Sequence, residues 1–80
     1  MNTATAVKER LISLCKARKL SFNALAYISA VPPSTVKGII YSESKNPGIV
    51  TLKKLCDGLG ISLTEFFDTE VFRTLEQEIR

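Results

Sequence analysis

Residues 20–42 read LSFNALAYISAVPPSTVKGIIYS, and the way this stretch divides decides the fold. Ser21 is a good helix N-cap, because its hydroxyl can accept a hydrogen bond from a free N–H of the first turn. Leu20 and Leu25 hold the N′ and N4 positions of a hydrophobic staple, and Leu25 and Ala26 point inward. A second helix begins near Pro33, where the missing N–H costs nothing because a first-turn donor has no intrahelical acceptor. Val36, Ile39 and Ile40 stand at i, i+3 and i+4 and make one buried stripe. Ser34, Thr35, Lys37, Gly38 and Tyr41 fall off that stripe and are short, polar, cationic or aromatic. The two helix starts are so close together that little but a turn fits between them. The stretch therefore predicts a helix-turn-helix, a shape whose second helix can enter a DNA major groove.

The flanks predict further helices. Over residues 4–19, Val7, Leu11, Leu14 and Cys15 follow i, i+4, i+7 and i+8. Lys16, Arg18 and Lys19 crowd the end of that helix, either to complement its dipole or to meet a phosphate. Residues 42–48, SESKNPG, are rich in helix breakers and predict a loop. Residues 49–59 predict a helix with Val50, Leu52, Leu55, Cys56 and Leu59 on its buried side, Lys53 and Lys54 toward solvent, and Gly60 at C′. Ser62 and Glu65 form a capping box, with Ile61 and Phe66 as its staple; Phe66 or Phe67 then closes the core. Residues 69–80 are expected to continue as helix, either unbroken or from a new cap at Asp68. Their stripe of Phe72, Leu75 and Ile79 either folds back on the first helix or pairs with a second copy. The expected fold class is thus all-α: a compact bundle of about five helices in a single domain over residues 1–80, with a core at 7–67 and a C-terminal helical extension at 68–80.

Apolar residues make up 45% of the 80-residue chain, too many for a disordered segment. No apolar run is long enough to span a membrane, and the first ten residues have no signal-peptide core, which points to a cytoplasmic protein. The net charge is +3, unevenly spread. Residues 1–64 hold nine Lys/Arg and three acids, for +6, whereas residues 65–80 hold two Arg and five acids, for −3. A basic body with an acidic tail suits a polyanionic partner. The two cysteines, Cys15 and Cys56, sit in apolar helical patterns, and their number and spacing suit buried free thiols rather than a disulfide framework or a zinc site. With no histidine there is no Ser-His or Cys-His nucleophile pair. The carboxylates are scattered, and there is no glycine-rich phosphate loop. No enzyme, metal or cofactor is expected.

Several of these residues, in order, resemble the lambda-repressor-like (Xre or Cro-type) helix-turn-helix family. Leu20-Ser21 matches the opening of its scanning helix, Leu25-Ala26 the middle of that helix, and Ser34-Thr35-Val36 its recognition helix. Asn46-Pro47, Thr51-Leu52 and Leu59-Gly60-Ile61-Ser62-Leu63 resemble later parts of the pattern, so the likeness covers roughly residues 7–67. Three positions depart from it. Ala30 stands where the turn usually carries Gly, so either the alanine takes positive φ at a cost of roughly 1 kcal/mol or the turn adopts another conformation. Phe22 replaces a polar phosphate-contacting residue, and Ile40 replaces a Glu.

The resemblance implies a sequence-specific transcriptional regulator, a repressor acting by occupancy, that binds double-stranded DNA as a homodimer through residues 33–41. Pro33, Ser34, Thr35, Lys37 and Gly38 are the expected base contacts. Tyr41, Ser44, Lys45 and Asn46, with the backbone N–H groups near Phe22 and Asn23, are the expected phosphate contacts. The alternative is a protein-interaction module, or an antitoxin-like partner protein, working through its C-terminal helix. One exposed apolar patch formed by Phe22, Ile28, Ile40 and the tail stripe would favour that alternative.

Overall fold

The computed structural model describes residues 1–42 and 46–79. Among the described residues six helices follow in order: α1 (Thr3–Ala17), α2 (Phe22–Ser29), α3 (Pro33–Tyr41), α4 (Ile49–Leu59), α5 (Leu63–Phe67) and α6 (Glu70–Arg73). No strand occurs among the described residues, so the all-α expectation holds. The starts of α2 and α5 form as their sequences predict. Ser21 Oγ accepts from the Ala24 N–H at 3.1 Å, and Ser62 and Glu65 make a reciprocal capping box.

Three helix ends close in the same way. A left-handed residue follows α1, α2 and α4: Lys19 at φ 52°, Ala30 at φ 54° and Gly60 at φ 74°. The next N–H then reaches back to a carbonyl in the last turn, Leu20 to Cys15 at 2.9 Å, Val31 to Ala26 at 3.1 Å and Ile61 to Cys56 at 3.0 Å. This is the long-range bond of the Schellman motif, and all three bonded pairs are apolar, as the motif favours. Gly60 takes the conformation freely, whereas Ala30 and Lys19 each bear a Cβ penalty of roughly 1–2 kcal/mol. The turn between α2 and α3 thus resolves the alternatives at Ala30: the alanine accepts the strain.

Helix α2 packs on α3 and α4, α4 on α5, and α1 on α3 and α6. The approach of α2 to α4 is set by small residues. A Cβ placed on Gly58 would lie 2.0 Å from Ser29 Oγ and 3.2 Å from its Cα, so only glycine fits there without a shift. Leu11, Leu25, Val36, Leu55, Cys56 and Phe66 are almost fully buried at the centre. Phe66, not Phe67, closes the core, with Phe67 and Phe72 packed around it at ring separations of 5.0 and 5.9 Å. Arg10 ties α1 to the end of α5: its Nε and Nη2 donate to the carbonyls of Phe66 and Glu65 at 2.8 and 3.0 Å.

Four expectations are corrected. Helix α1 stops at Ala17, because the chain reverses through Lys19. Val50 is not on the buried side of α4 but 67% exposed; two positions before Leu52, it is rotated well away from the buried face. Asp68 does not cap a new helix. It closes α5, while Thr69 is the N-cap of α6, and its carboxylate pairs with Arg73. The helix expected over 69–80, the extension at 68–80, survives only as Glu70–Arg73. Thr74 bonds its hydroxyl to the Glu70 carbonyl, and the acidic tail turns to the start of α1. There Glu78 accepts from the Thr3 N–H at 3.2 Å and Glu76 meets the N-terminal amine at 3.5 Å. Of the tail stripe, Phe72 and Leu75 are half-buried and Ile79 is exposed. The chain folds back on α1.

Candidate nucleic-acid interface

The buried stripe of α3 leaves a defined outer face. Val36, Ile39 and Ile40 are at most 6% exposed, and they turn Pro33, Ser34, Thr35 and Lys37 to solvent, with Gly38 half-buried. Pro33 at N1 and Pro32 at the N-cap leave the start of α3 without a side-chain cap. The first-turn donors of Ser34 and Thr35 lie at that open end; the Thr35 N–H already bonds the Pro32 carbonyl at 2.9 Å.

Ser34, Thr35, Gly38 and Ile39 line one side of a groove of about 340 Å³; Asn46, Pro47, Gly48 and Thr51 line the other. The loop end after α3 is thus brought against the first turns of that helix. Lys37 does not line this groove. It is exposed and has no ion pair among the described residues. Tyr41 is 72% exposed, and its ring meets that of Phe22 edge-on at 6.0 Å. This contact sets the start of α2 beside the end of α3. Phe22 and Asn23 are the first two residues of α2, so their amides lack intrahelical acceptors. Ser44 and Lys45, the remaining expected phosphate contacts, lie outside the described residues.

Sequence reasoning missed Gly48 and Thr51 as members of the groove. Gly48 is the uncapped N-cap of α4, with nothing near its Cβ position; its place after Asn46-Pro47 was the available signal. It also missed that Phe22 would be held by Tyr41. The patch that would favour an interaction role does not form, because Ile40 is buried while Ile28 is 49% exposed. Among the described residues no three His, Cys, Asp or Glu side chains converge, and no helix is long and apolar enough to cross a membrane.

A family model for the Cro/C1-type HTH DNA-binding domain matches residues 10–71. The chain is similar to the crystal structure of prophage Lp1 protein 11, at 34% identity and a TM-score of 0.80, over 94% of this chain and 100% of that one. It is also similar to an HTH_3-family transcriptional regulator from Vibrio cholerae, at 33% identity and a TM-score of 0.74; the match covers 84% of this chain but 37% of that regulator. No curated protein matches in sequence. The span of the family match and these structural likenesses agree with the order of helices and the open face of α3: the chain belongs to the Cro/C1-type helix-turn-helix DNA-binding family.

Proposed function

We propose that the protein is a sequence-specific transcriptional repressor that reads the DNA major groove through α3 and acts by occupying its site. One observation carries this: the first turns of α3 present Ser34, Thr35 and Gly38 to an open groove whose far wall is Asn46 and the start of α4. Pro33, Ser34, Thr35, Lys37 and Gly38 face base edges. Pro33 offers apolar contact, as to a thymine methyl. Ser34 and Thr35 donate or accept and discriminate weakly, Gly38 allows close approach, and Lys37 reads a guanine or, failing that, holds a phosphate. Tyr41, Ser44, Lys45 and Asn46, with the amides of Phe22 and Asn23, hold phosphates on either side.

The protein binds as a homodimer whose recognition helices repeat at about 34 Å or a multiple of it. Residues 66–80 contribute to the contact between copies, and Val71 and Ile79, at 44% and 87% exposure, remain available for it. Sedimentation at high concentration, with and without residues 74–80, tests this. A monomer unaffected by the deletion would count against it.

Two substitutions test the site. Lys45→Ala weakens binding to all duplexes about equally and lowers the salt slope by about 0.9 per half-site. Lys37→Ala costs roughly 1–3 kcal/mol per half-site on the preferred sequence, and less on random DNA. If wild type shows no salt-sensitive DNA binding, the interaction-module alternative replaces this function.

A further inference from the structure

Lys16, Arg18 and Lys19 are all exposed, and none has an ion pair among the described residues. The helix dipole accounts for only part of this cluster. Lys16 lies in the last turn of α1 and Arg18 is its C-cap, where a cation is favoured. Lys19 lies beyond the helix, in the left-handed conformation at φ 52°. Glycine would take that conformation without steric cost, so the backbone does not explain a lysine there.

The surroundings suggest a use for it. Lys16, Lys19, Ser21 and Phe22 share the wall of a groove of about 420 Å³ between α1 and α2, floored by Ile12 and Leu20. No acidic residue lines it; Glu9 lines the adjoining depression, which it shares with Lys16, and another beside Arg10. Phe22 connects this groove to the DNA face, since its ring packs on Tyr41 at the end of α3. The acceptor-free amides of Phe22 and Asn23 open at the same corner.

We propose that Lys16 and Lys19 form a cationic shelf that holds DNA phosphates outside the stretch read by α3, extending the backbone contact beyond the start of α2. This inference rests on the DNA-binding function proposed above. The shelf adds affinity and salt dependence without base preference, because phosphates carry no sequence information of their own.

The test compares wild type with a Lys16→Gln/Lys19→Gly variant, measuring affinity for a long duplex across a salt series and base preference by selection from a random pool. Each phosphate contact contributes about 0.9 to the salt slope, so the variant's slope falls by about 1.8 per bound protomer. Over a fourfold rise in salt, wild type then loses about 12-fold more affinity than the variant. The selected sequences are unchanged. Lys19→Gln replaces Lys19→Gly where a variant that keeps a side chain is needed, with the same expected slope. An unchanged slope on salt-sensitive wild-type binding overturns the shelf and leaves the regulator standing. A shifted base preference at constant slope also overturns it, since the lysines would then act by positioning α2. Wild type without salt-sensitive DNA binding overturns both.

Discussion

Replacing Ala30 by glycine should make the protein more stable. Ala30 holds φ 54° and ψ 39° at the end of α2, a conformation that costs a residue with a Cβ roughly 1–2 kcal/mol. Glycine removes that penalty but loses more chain entropy on folding, about 0.4–1 kcal/mol. The difference leaves a gain of about 0.5–1 kcal/mol, which for a domain of this size raises Tm by roughly 2–8 °C. The Val31-to-Ala26 bond at 3.1 Å is made by backbone atoms alone and survives the change. Thermal melts followed by circular dichroism, with urea titrations to show an unchanged m-value, measure the effect. Gly60, at φ 74° with nothing near its Cβ position, supplies the mirror experiment. Gly60→Ala introduces the strain that Ala30→Gly removes and regains the chain entropy, so it should lower stability by the same amount, about 0.5–1 kcal/mol. A lower Tm for Ala30→Gly, or no loss for Gly60→Ala, would refute the account of these turns.

Gly58→Ala should cost roughly 1–3 kcal/mol, because its Cβ would meet Ser29 Oγ at 2.0 Å. Adding Ser29→Ala should recover part of that loss, and Ser29→Ala alone should gain about 1 kcal/mol by removing a buried hydroxyl without a partner; urea midpoints of the three variants decide. Arg10→Lys should lose about 1–2 kcal/mol despite keeping the charge, since an ammonium cannot reproduce the paired bonds to the Glu65 and Phe66 carbonyls. Burial pushes the Cys15 and Cys56 thiols up from their ordinary value. The unfolded chain therefore loses these protons first, so their stabilisation is complete below about pH 8.5 and is lost as pH rises through the folded-state values. Urea midpoints should fall above that pH, and a thiol reagent should react far more slowly with the native protein than with the unfolded one.

The parts of the fold that sequence reveals are those decided within one turn of helix. Ser21, Pro33, Gly60 and the Ser62–Glu65 pair act on backbone groups a few residues away, so their chemistry names the helix ends directly. The buried stripe of α3 follows from period alone. What period does not supply is a partner for each face. Phe72 and Leu75 have the spacing of a helix stripe, yet the helix ends at Arg73. Phe72 is satisfied by Phe66 and Phe67, and the carboxylates that follow are drawn to the start of α1. Only the tertiary arrangement offers those partners, and a four-residue helix is too short to persist without them.

The same limit governs the site. The outer face of α3 was readable because it is whatever the stripe leaves over. The groove beside it was not, because Gly48 and Thr51 join it only through the path of the loop. Charge shows the limit most clearly. The +6 of residues 1–64 counts Arg10 and Lys53 equally with Lys37, although Arg10 is held by the end of α5 and Lys53 by Asp57. A cation fixed on a carbonyl or a carboxylate does little for a polyanion, whereas one without a partner can displace counterions. Setting aside Arg10 and Lys53, and Lys45, which lies outside the described residues, leaves Lys8, Lys16, Arg18, Lys19, Lys37 and Lys54 without an ion pair among the described residues, three of the six at the end of α1. The location of the unpaired cations, more than their total, sets where a phosphate backbone is drawn.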